Sequence, residues 1–140
     1  SCNAADGRYL EFYKGQKYSR AEIGGFLSNN LATGAVVLVA SRGETLCGFV
    51  QLYFIPNSLS LGKMAILNDL FVGPEHGRNG VGRSLMESAI AYVRSIGVDR
   101  MELSTGIDNQ LAQRLYESSG WRKISDFQYY VHAMDSVCVV

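Results

Sequence analysis

Three glycines lie within six positions of the stretch VGPEHGRNGVGRSL, which covers residues 72 to 85. They are Gly77, Gly80 and Gly82, and they follow an apolar run that ends at Val72. A segment with helical spacing comes next, so the order predicts a strand, a glycine loop and the N-terminus of a helix. The first amides of a helix have no intrahelical acceptor, and the helix dipole adds partial positive charge. The stretch therefore predicts a site for a phosphate group.

The absence of Cβ atoms at these glycines would let a pyrophosphate touch the backbone, and Arg78 and Arg83 would add charge and forked donors. A tight strand-to-helix turn that binds nothing would use the same glycines. Two well-known phosphate loops are excluded. A Walker loop ends in Gly-Lys-Ser/Thr, and the stretch has no lysine, while the dinucleotide fingerprint has a third glycine where Leu85 stands.

Composition limits the class of protein. The chain has 140 residues with a formal net charge of zero, and 47% of them are hydrophobic. We therefore expect one domain over residues 1–140 with a sizeable core. No block of lysine or arginine offers the clustered charge that attracts nucleic acid or an anionic membrane surface, so neither is an expected partner. No apolar stretch approaches the ~20 residues that span a bilayer, and the opening SCNAADG lacks the apolar region of a signal peptide.

The cysteines and histidines suggest no metal site. The three cysteines are odd in number and far apart, so we expect neither a zinc cluster nor a disulfide framework, but free thiols in a reducing cytoplasm. They are Cys2, Cys47 and Cys138. Cys47 falls in a predicted strand, where we expect packing rather than nucleophilic chemistry. We expect His76 to mark a solvent-facing loop, and His132 and Trp121 to be structural.

The first half of the chain predicts one helix and three strands. Ser19 and Glu22 form a capping box, and the helical spacing that follows ends at Gly34. No convincing strand precedes this helix. The runs AVVLVA and LCGFVQLYF indicate a hairpin around the turn SRGET, and IPNSLSLG is predicted as a loop. The largely apolar KMAILNDLFV is then a strand inside the sheet.

The second half alternates helices with short strands. Apolar residues from Leu85 to Ile96 trace one helical face, and RMELST is a short strand. DNQLAQRLYESSGW is a second helix, and FQYYVHA a late strand. The inward residues of that second helix are Leu111, Leu115 and Tyr116. Together the elements predict an α/β (α+β) fold, in which an antiparallel meander leads into one parallel strand pair with a right-handed crossover, flanked by helices.

The sequence NDLFVGPEHGRNGVGRSLMESA, followed after a strand by DNQLAQRLYESSGW, resembles the GNAT superfamily of N-acetyltransferases. That family's pyrophosphate loop reads Gln/Arg-x-x-Gly-x-Gly/Ala and opens the main helix, and a later segment carries an asparagine, a Leu-Tyr-Glu and a Gly-aromatic pair. Both blocks occur here in order. The sequence departs from the family at Gly77, where Gln or Arg is usual, and Arg78 stands one position later. The resemblance implies a GNAT-like mixed sheet whose parallel strand pair splays apart.

The resemblance implies acetyl transfer from acetyl-CoA, used as a cosubstrate, to a primary amine. The pantetheine arm would lie between the splayed strands and pair like an added strand with the backbone of Leu70, Phe71 and Val72. Other implied coenzyme contacts come from the glycine loop, the start of its helix and two positions of the later helix. They are Gly77, Arg78, Asn79, Gly80, Val81, Gly82, Arg83, Asn109 and Tyr116.

The resemblance also implies that Tyr116 is the general acid for the departing thiolate. A tyrosine with its usual pKa of about 10 is protonated at neutral pH and can donate that proton. A core tyrosine beside Leu115 is the alternative. Many relatives carry a basic glutamate in the central strand, and the matching position here is Asn68. Because neighbouring strand residues face opposite sides, Asp69 becomes our candidate base if a bulge re-aims it, with a structural carboxylate as the alternative and Glu102 as second choice.

Two functions stay open at this point: an N-acetyltransferase, or a domain that binds coenzyme A without turnover as a sensor or interaction module. The segments YLEFYKGQKYS and YFIPNSLSLGK would form the acceptor walls. They offer aromatic residues and no dense acidic patch, which favours a small-molecule amine over a peptide. The first strand of the family fold is missing or supplied by a partner chain, which suggests a homodimer.

Overall fold

The computed structural model of the protein describes residues 34–77 and 80–134. The predicted helix over residues 19–34 and the prediction about the first strand lie outside these ranges. Within them, four strands, two α-helices and one turn of 3-10 helix follow one another. They are β1 (Val36–Arg42), β2 (Thr45–Asn57), β3 (Gly62–Val72), the 3-10 turn Pro74–His76, α1 (Val81–Ser95), β4 (Met101–Glu102) and α2 (Gln110–Ser118).

The strands form one mixed sheet in the order β1-β2-β3-β4. The first two neighbouring pairs are antiparallel, and β3 pairs with β4 in parallel. Between β1 and β2 lie only Gly43 and Glu44, and Gly43 has a φ of +59°. Glycine at the first position of a two-residue loop is typical of a type II′ turn, which fits the twist of the flanking strands. The predicted meander with one parallel pair is confirmed.

Three local predictions are wrong. β2 continues into the predicted loop as far as Asn57, because these residues pair with the start of β3. The segment FQYYVHA, residues 127–133, has no regular structure and is exposed, since none of the strands just described pairs with its backbone. Leu111 is 75% exposed, so α2 turns only the Leu115 and Tyr116 side of its surface inward.

Helix α1 covers one face of the sheet. Its buried residues recur at helical spacing, as predicted, although Ile96 beyond its end is half-exposed. They are Val81, Leu85, Met86, Ala89 and Val93. Beneath them, the buried side chains of the sheet come from the middle strands β2 and β3. These include Cys47, which is 1% exposed, so its predicted packing role is confirmed.

The other face of the sheet carries an aromatic pair, Phe49 and Phe71, whose ring centroids are 5.7 Å apart. Gly48, beside Phe49, makes a close backbone approach. A Cβ atom at Gly48 would collide with the carbonyl oxygen of Phe71, and it would lie 3.2 Å from both Val72 Cα and Leu85 Cδ1. Glycine is therefore required here by space, because the nearest atoms are backbone atoms of β3.

Candidate active site

The end of β3 has a free side. β3 pairs with β4 only at Ala65 with Met101 and Ile66 with Glu102, and from Leu67 onward the described residues provide no strand on that side. The antiparallel partner β2 continues alongside β3 to its last residue. The parallel pair therefore parts after two residues, as the expected splay requires.

The register identifies which backbone groups face this free side. Gly73 N–H donates to the Cys47 carbonyl at 2.8 Å, so these two residues form a hydrogen-bonded antiparallel pair. Hydrogen-bonded and non-bonded pairs alternate along such a ladder. The backbone of Phe71 therefore faces β2, whereas the backbone N–H and C=O groups of Leu70 and Val72 point away from β2, into the gap.

The loop after β3 ends at the N-terminus of α1. The 3-10 turn Pro74–His76 comes first, and Arg78 and Asn79 lie outside the described residues. Gly80 is the N-cap of α1 with a φ of +73°, and its carbonyl accepts the first helical hydrogen bond from Ser84 N–H at 3.0 Å. None of the described side chains caps this end of the helix. Its first amides and the helix dipole are thus available to an anion.

The glycines of this loop serve different purposes. Gly80 adopts the left-handed conformation that side chains disfavour. Gly82 is a packing position, because a Cβ atom there would lie 3.4 Å from Leu115 Cδ2 and 3.6 Å from Val72 Cγ2. Gly77 has an ordinary φ of −63° and space for a Cβ atom. The end of β3, the start of α1 and the inner side of α2 therefore meet at Gly82.

Helix α2 carries the predicted acid. Asn109 is its N-cap, and the side-chain oxygen accepts from Ala112 N–H at 3.2 Å, as predicted. Tyr116 is half-buried against the core, and its ring centroid is 6.3 Å from that of Trp121. Trp121 Nε1 lies 3.2 Å from the sulfur of Met86 in α1, which anchors the indole to the core. The structural role predicted for Trp121 is confirmed.

The side chain of Arg83 extends from α1 to α2. Its Nη2 donates to Ser118 Oγ at 2.8 Å, and Ser118 Oγ in turn donates to the Leu115 carbonyl at 3.0 Å. Both Arg83 and Ser118 are exposed. One guanidinium N–H that could have reached a phosphate is thus directed at the neighbouring helix.

A bulge in β3 places Asp69 within a polar cluster on the aromatic face of the sheet. Gln51 pairs with Asp69 but Leu52 pairs with Leu67, so Asn68 is the extra residue, and the bulge considered in the sequence is present. Gln51 Nε2 donates to Asp69 Oδ2 at 3.2 Å, and Asn68 Nδ2 donates to the same oxygen at 2.9 Å. Asp69 as a whole is 8% exposed. It is thus held by two amides beside the gap between β3 and β4.

Comparison with known proteins identifies the family. The model of the acetyltransferase (GNAT) family matches residues 6–121. The chain belongs to this family. It is 34% identical over 124 residues to an uncharacterized N-acetyltransferase of Bacillus subtilis, YhfO, covering 88% of this chain and 83% of that one. It is also 30% identical to an aminoglycoside N(6′)-acetyltransferase type 1 of Klebsiella aerogenes, over 79% of this chain and 75% of that protein.

A solved structure agrees with these relatives. The crystal structure of a probable acetyltransferase, 35% identical to this chain, superposes with a TM-score of 0.84 over 94% of this chain and 89% of that one. The GNAT fold predicted from the two sequence blocks is confirmed. This GNAT protein is an acetyltransferase, and the family in general uses acetyl-CoA as its cosubstrate.

The remaining candidates of the sequence lie apart from this site or differ from expectation. Glu102, the second candidate base, is exposed and accepts from Arg100 Nε at 2.8 Å. His76 is not solvent-facing: its side chain is 13% exposed, with Nε2 3.8 Å from Glu75 Oε1, because its segment forms a 3-10 turn rather than an open loop. His132 is exposed, and within the described part of the chain its Nδ1 lies 3.0 Å from the carbonyl oxygen of its neighbour Ala133, so the structural role predicted for it is wrong.

Two residues of the site were missed in the sequence. Gln51 had a local signal, since it is a buried polar residue within the apolar strand segment LCGFVQLYF. Ser118 had none, because its partner Arg83 is 35 residues away in the chain. In the described parts of this GNAT chain, no three His, Cys, Asp or Glu side chains gather as a metal site would require. The same parts contain no helix long and apolar enough to cross a membrane.

Proposed function

We propose that this GNAT protein transfers the acetyl group of acetyl-CoA to the primary amine of a small molecule by direct attack. The observation that carries the proposal is the meeting point at Gly82. There Val72 at the end of β3 and Leu115 in the helix that bears Tyr116 approach the start of α1 so closely that a Cβ atom at Gly82 would be in van der Waals contact with both. A coenzyme held along β3 and at α1 would place its thioester beside these elements.

The fit to coenzyme A rests on two features of this chain. The backbone groups of Leu70 and Val72 face the gap and offer the pairing that an added strand would use, here with the pantetheine arm. The first amides of α1, residues 81 to 83, offer the pyrophosphate unsatisfied donors and a positive dipole end. The backbone of Phe71, which was also predicted to pair with the pantetheine arm, is engaged by β2 instead. Its side chain lies on the face of the sheet away from α1.

Tyr116 supplies the proton for the leaving group. When the acceptor nitrogen bonds to the acetyl carbonyl carbon, the carbon–sulfur bond breaks and the sulfur takes the electron pair. The Tyr116 phenol gives its proton to that sulfur, so that coenzyme A leaves as a neutral thiol. The contact with Trp121 and the burial of one side of the ring hold the phenol at the end of α2.

Asp69 receives the proton that the attacking amine loses. Because Asp69 Oδ2 accepts hydrogen bonds from Gln51 and Asn68, the carboxylate is oriented as an acceptor. Its small exposed fraction allows contact with the acceptor directly or through one water molecule, which is the reach that a general base needs. Solvent then restores the protonation states of Asp69 and Tyr116.

The side chains on this face of the sheet support a small-molecule amine as the acceptor. The face combines one buried carboxylate with the aromatic pair Phe49 and Phe71 and the hydroxyl of Tyr53, which donates to Gln51 Oε1 at 3.4 Å. The aminoglycoside acetyltransferase among the relatives supports a small-molecule amine.

The test separates binding from transfer. Acetyl-CoA at 100 times its Kd should stabilise the protein by about 2.7 kcal/mol, which raises the Tm by several degrees. Release of coenzyme A is then measured with aminoglycosides, polyamines, amino acids and an N-terminal peptide as acceptors. Tyr116→Phe should lower turnover roughly 100-fold or more without changing the Kd for acetyl-CoA, because only the proton donor is lost.

Tyr92→Phe is the matched control, because Tyr92 is also half-buried on the same core but lies at the far end of α1. Equal turnover of Tyr116→Phe and wild type would refute the acid. Stabilisation by acetyl-CoA without turnover of any amine would favour the sensor function instead. No stabilisation at millimolar acetyl-CoA would remove the coenzyme site itself.

A further inference from the structure

The last turn of α2 and Trp121, just beyond it, are attached to the first two turns of α1 by two side-chain contacts, which we call the α1–α2 clasp. One is a hydrogen bond between the exposed side chains of Arg83 and Ser118, and the other links the Trp121 indole to the buried sulfur of Met86. Leu115 packs close by, since its Cδ2 would lie 3.4 Å from a Cβ atom at Gly82. Tyr116 lies between Leu115 and Ser118 in α2.

The hydrogen bond of the clasp has a defined direction. Ser118 Oγ has one proton, which it donates to the Leu115 carbonyl at 3.0 Å, so its lone pairs remain for the guanidinium of Arg83 at 2.8 Å. A short bond from a charged donor is among the stronger hydrogen bonds. Ser118 therefore links Arg83 to the backbone of the helical turn from Leu115 to Ser118, which includes Tyr116.

We propose that Arg83 is a positioning residue, which holds Tyr116 in place through Ser118 rather than acting on the coenzyme phosphates. Arg83 belongs to the same turn of α1 whose amides are proposed to take the pyrophosphate. The clasp thus fixes the distance between the bound coenzyme and the phenol. This inference rests on the role of Tyr116 in the proposed function.

The first experiment needs no acceptor and no turnover. Trp121 is the only tryptophan of the chain, and it is a member of the clasp, so its fluorescence reports how α2 sits on α1. We expect Arg83→Ala and Ser118→Ala each to shift the emission to longer wavelength and to increase quenching by acrylamide. The double variant should resemble the single variants, because each single substitution already removes the same Arg83–Ser118 hydrogen bond.

Arg94→Ala is the matched control. It removes the same charge from an exposed position of the same helix, but at the end far from α2. Its emission and quenching should equal those of wild type. Thermal scans of the four variants against wild type verify folding. Unchanged quenching in Ser118→Ala would overturn the proposal.

The second experiment measures two quantities for each variant: turnover with the best amine acceptor, and the Kd for coenzyme A by calorimetry. Arg83→Ala and Ser118→Ala should each lower kcat roughly three- to tenfold, the scale of one hydrogen bond, with the Kd unchanged. In a Tyr116→Phe background, Ser118→Ala should cost nothing further, because the clasp acts through the phenol. A merely structural contact would lower kcat in both backgrounds.

The outcomes separate the two proposals. A weaker Kd in Arg83→Ala together with a wild-type Ser118→Ala would make Arg83 a phosphate ligand and overturn the positioning role. If Tyr116→Phe lowers kcat but Ser118→Ala keeps the wild-type kcat, the positioning role is also overturned, while the proposed function stays intact. A wild-type kcat in Tyr116→Phe would instead refute the acid and, with it, any positioning of that acid, whatever the fluorescence shows about the clasp.

Discussion

Gly48→Ala tests the closest backbone approach in the sheet. The added Cβ atom would collide with the Phe71 carbonyl oxygen and would lie 3.2 Å from Val72 Cα and Leu85 Cδ1. Two of these three atoms belong to the backbone of β3, which is fixed by its pairing with β2 and cannot rotate away as a side chain can. Overpacking of a core costs about 1–3 kcal/mol, and we expect the upper end here, about 3 kcal/mol.

For a domain of 140 residues, each kcal/mol lowers the Tm by about 3–5 °C, so Gly48→Ala should melt about 10 °C below wild type in a circular dichroism scan. Gly106→Ala is the matched control. Its Cβ atom would have nothing within 4 Å and its φ is not positive, so the change should stay within about 0.5 kcal/mol. A Gly48→Ala protein that melts within 2–3 °C of Gly106→Ala, on the same scale, would show that β3 yields to the methyl group and would refute the argument from fixed backbone.

Three further changes test other parts of the site. Gly82→Ala should fold and bind coenzyme A like wild type, because its Cβ atom would lie at an ordinary contact distance of 3.4 Å from Leu115 Cδ2. Gly82→Val should push α2 away and thereby raise the Kd for coenzyme A measured by calorimetry. Equal Kd values for the two variants would contradict this. Asn109→Ala should lower the free energy of unfolding by about 1 kcal/mol in urea titrations through loss of the N-cap, and no loss would mean that the cap is dispensable. Asp69→Asn should slow acetyl transfer while Glu102→Gln, whose carboxylate is exposed and paired with an arginine, should not, and the reverse order in a steady-state assay would exchange their roles.

The parts of the fold that depend on local chemistry were predictable from the sequence. Gly43 marks the hairpin turn, the spacing of Leu85, Ala89 and their neighbours predicts the buried face of α1, and Asn109 begins α2 as a cap. In each case, the signal lies in residues within one or two turns of each other. The candidate site residues of the glycine loop and of α2 were proposed from the family resemblance that two such segments carry.

The parts that depend on a distant partner were not predictable. The alternation in residues 127–133 predicts a strand, but a strand forms only where a neighbour takes its backbone hydrogen bonds, and none of the described strands does so. Leu111 has helical spacing with Leu115, yet only the packing of α2 on α1 decides which of them is covered. Arg83 carries a charge suited to a phosphate, and nothing near it in the sequence announces Ser118.

The bulge at Asn68 has a consequence for how this enzyme can change its substrate. Because of the extra residue, the side chains of Asp69 and Phe71 lie on the face away from α1, while the backbone of Leu70 and Val72 faces the gap. In the proposed function, the acceptor would thus meet side chains and the coenzyme would meet main chain on a single strand. Apart from Asp69, the proposed base, single substitutions can change the side chains that the acceptor would meet, whereas only proline could remove an N–H from the main chain that the coenzyme would meet. Under this proposal, substitutions in β3 could change which amine is acetylated while acetyl-CoA remains the acetyl donor.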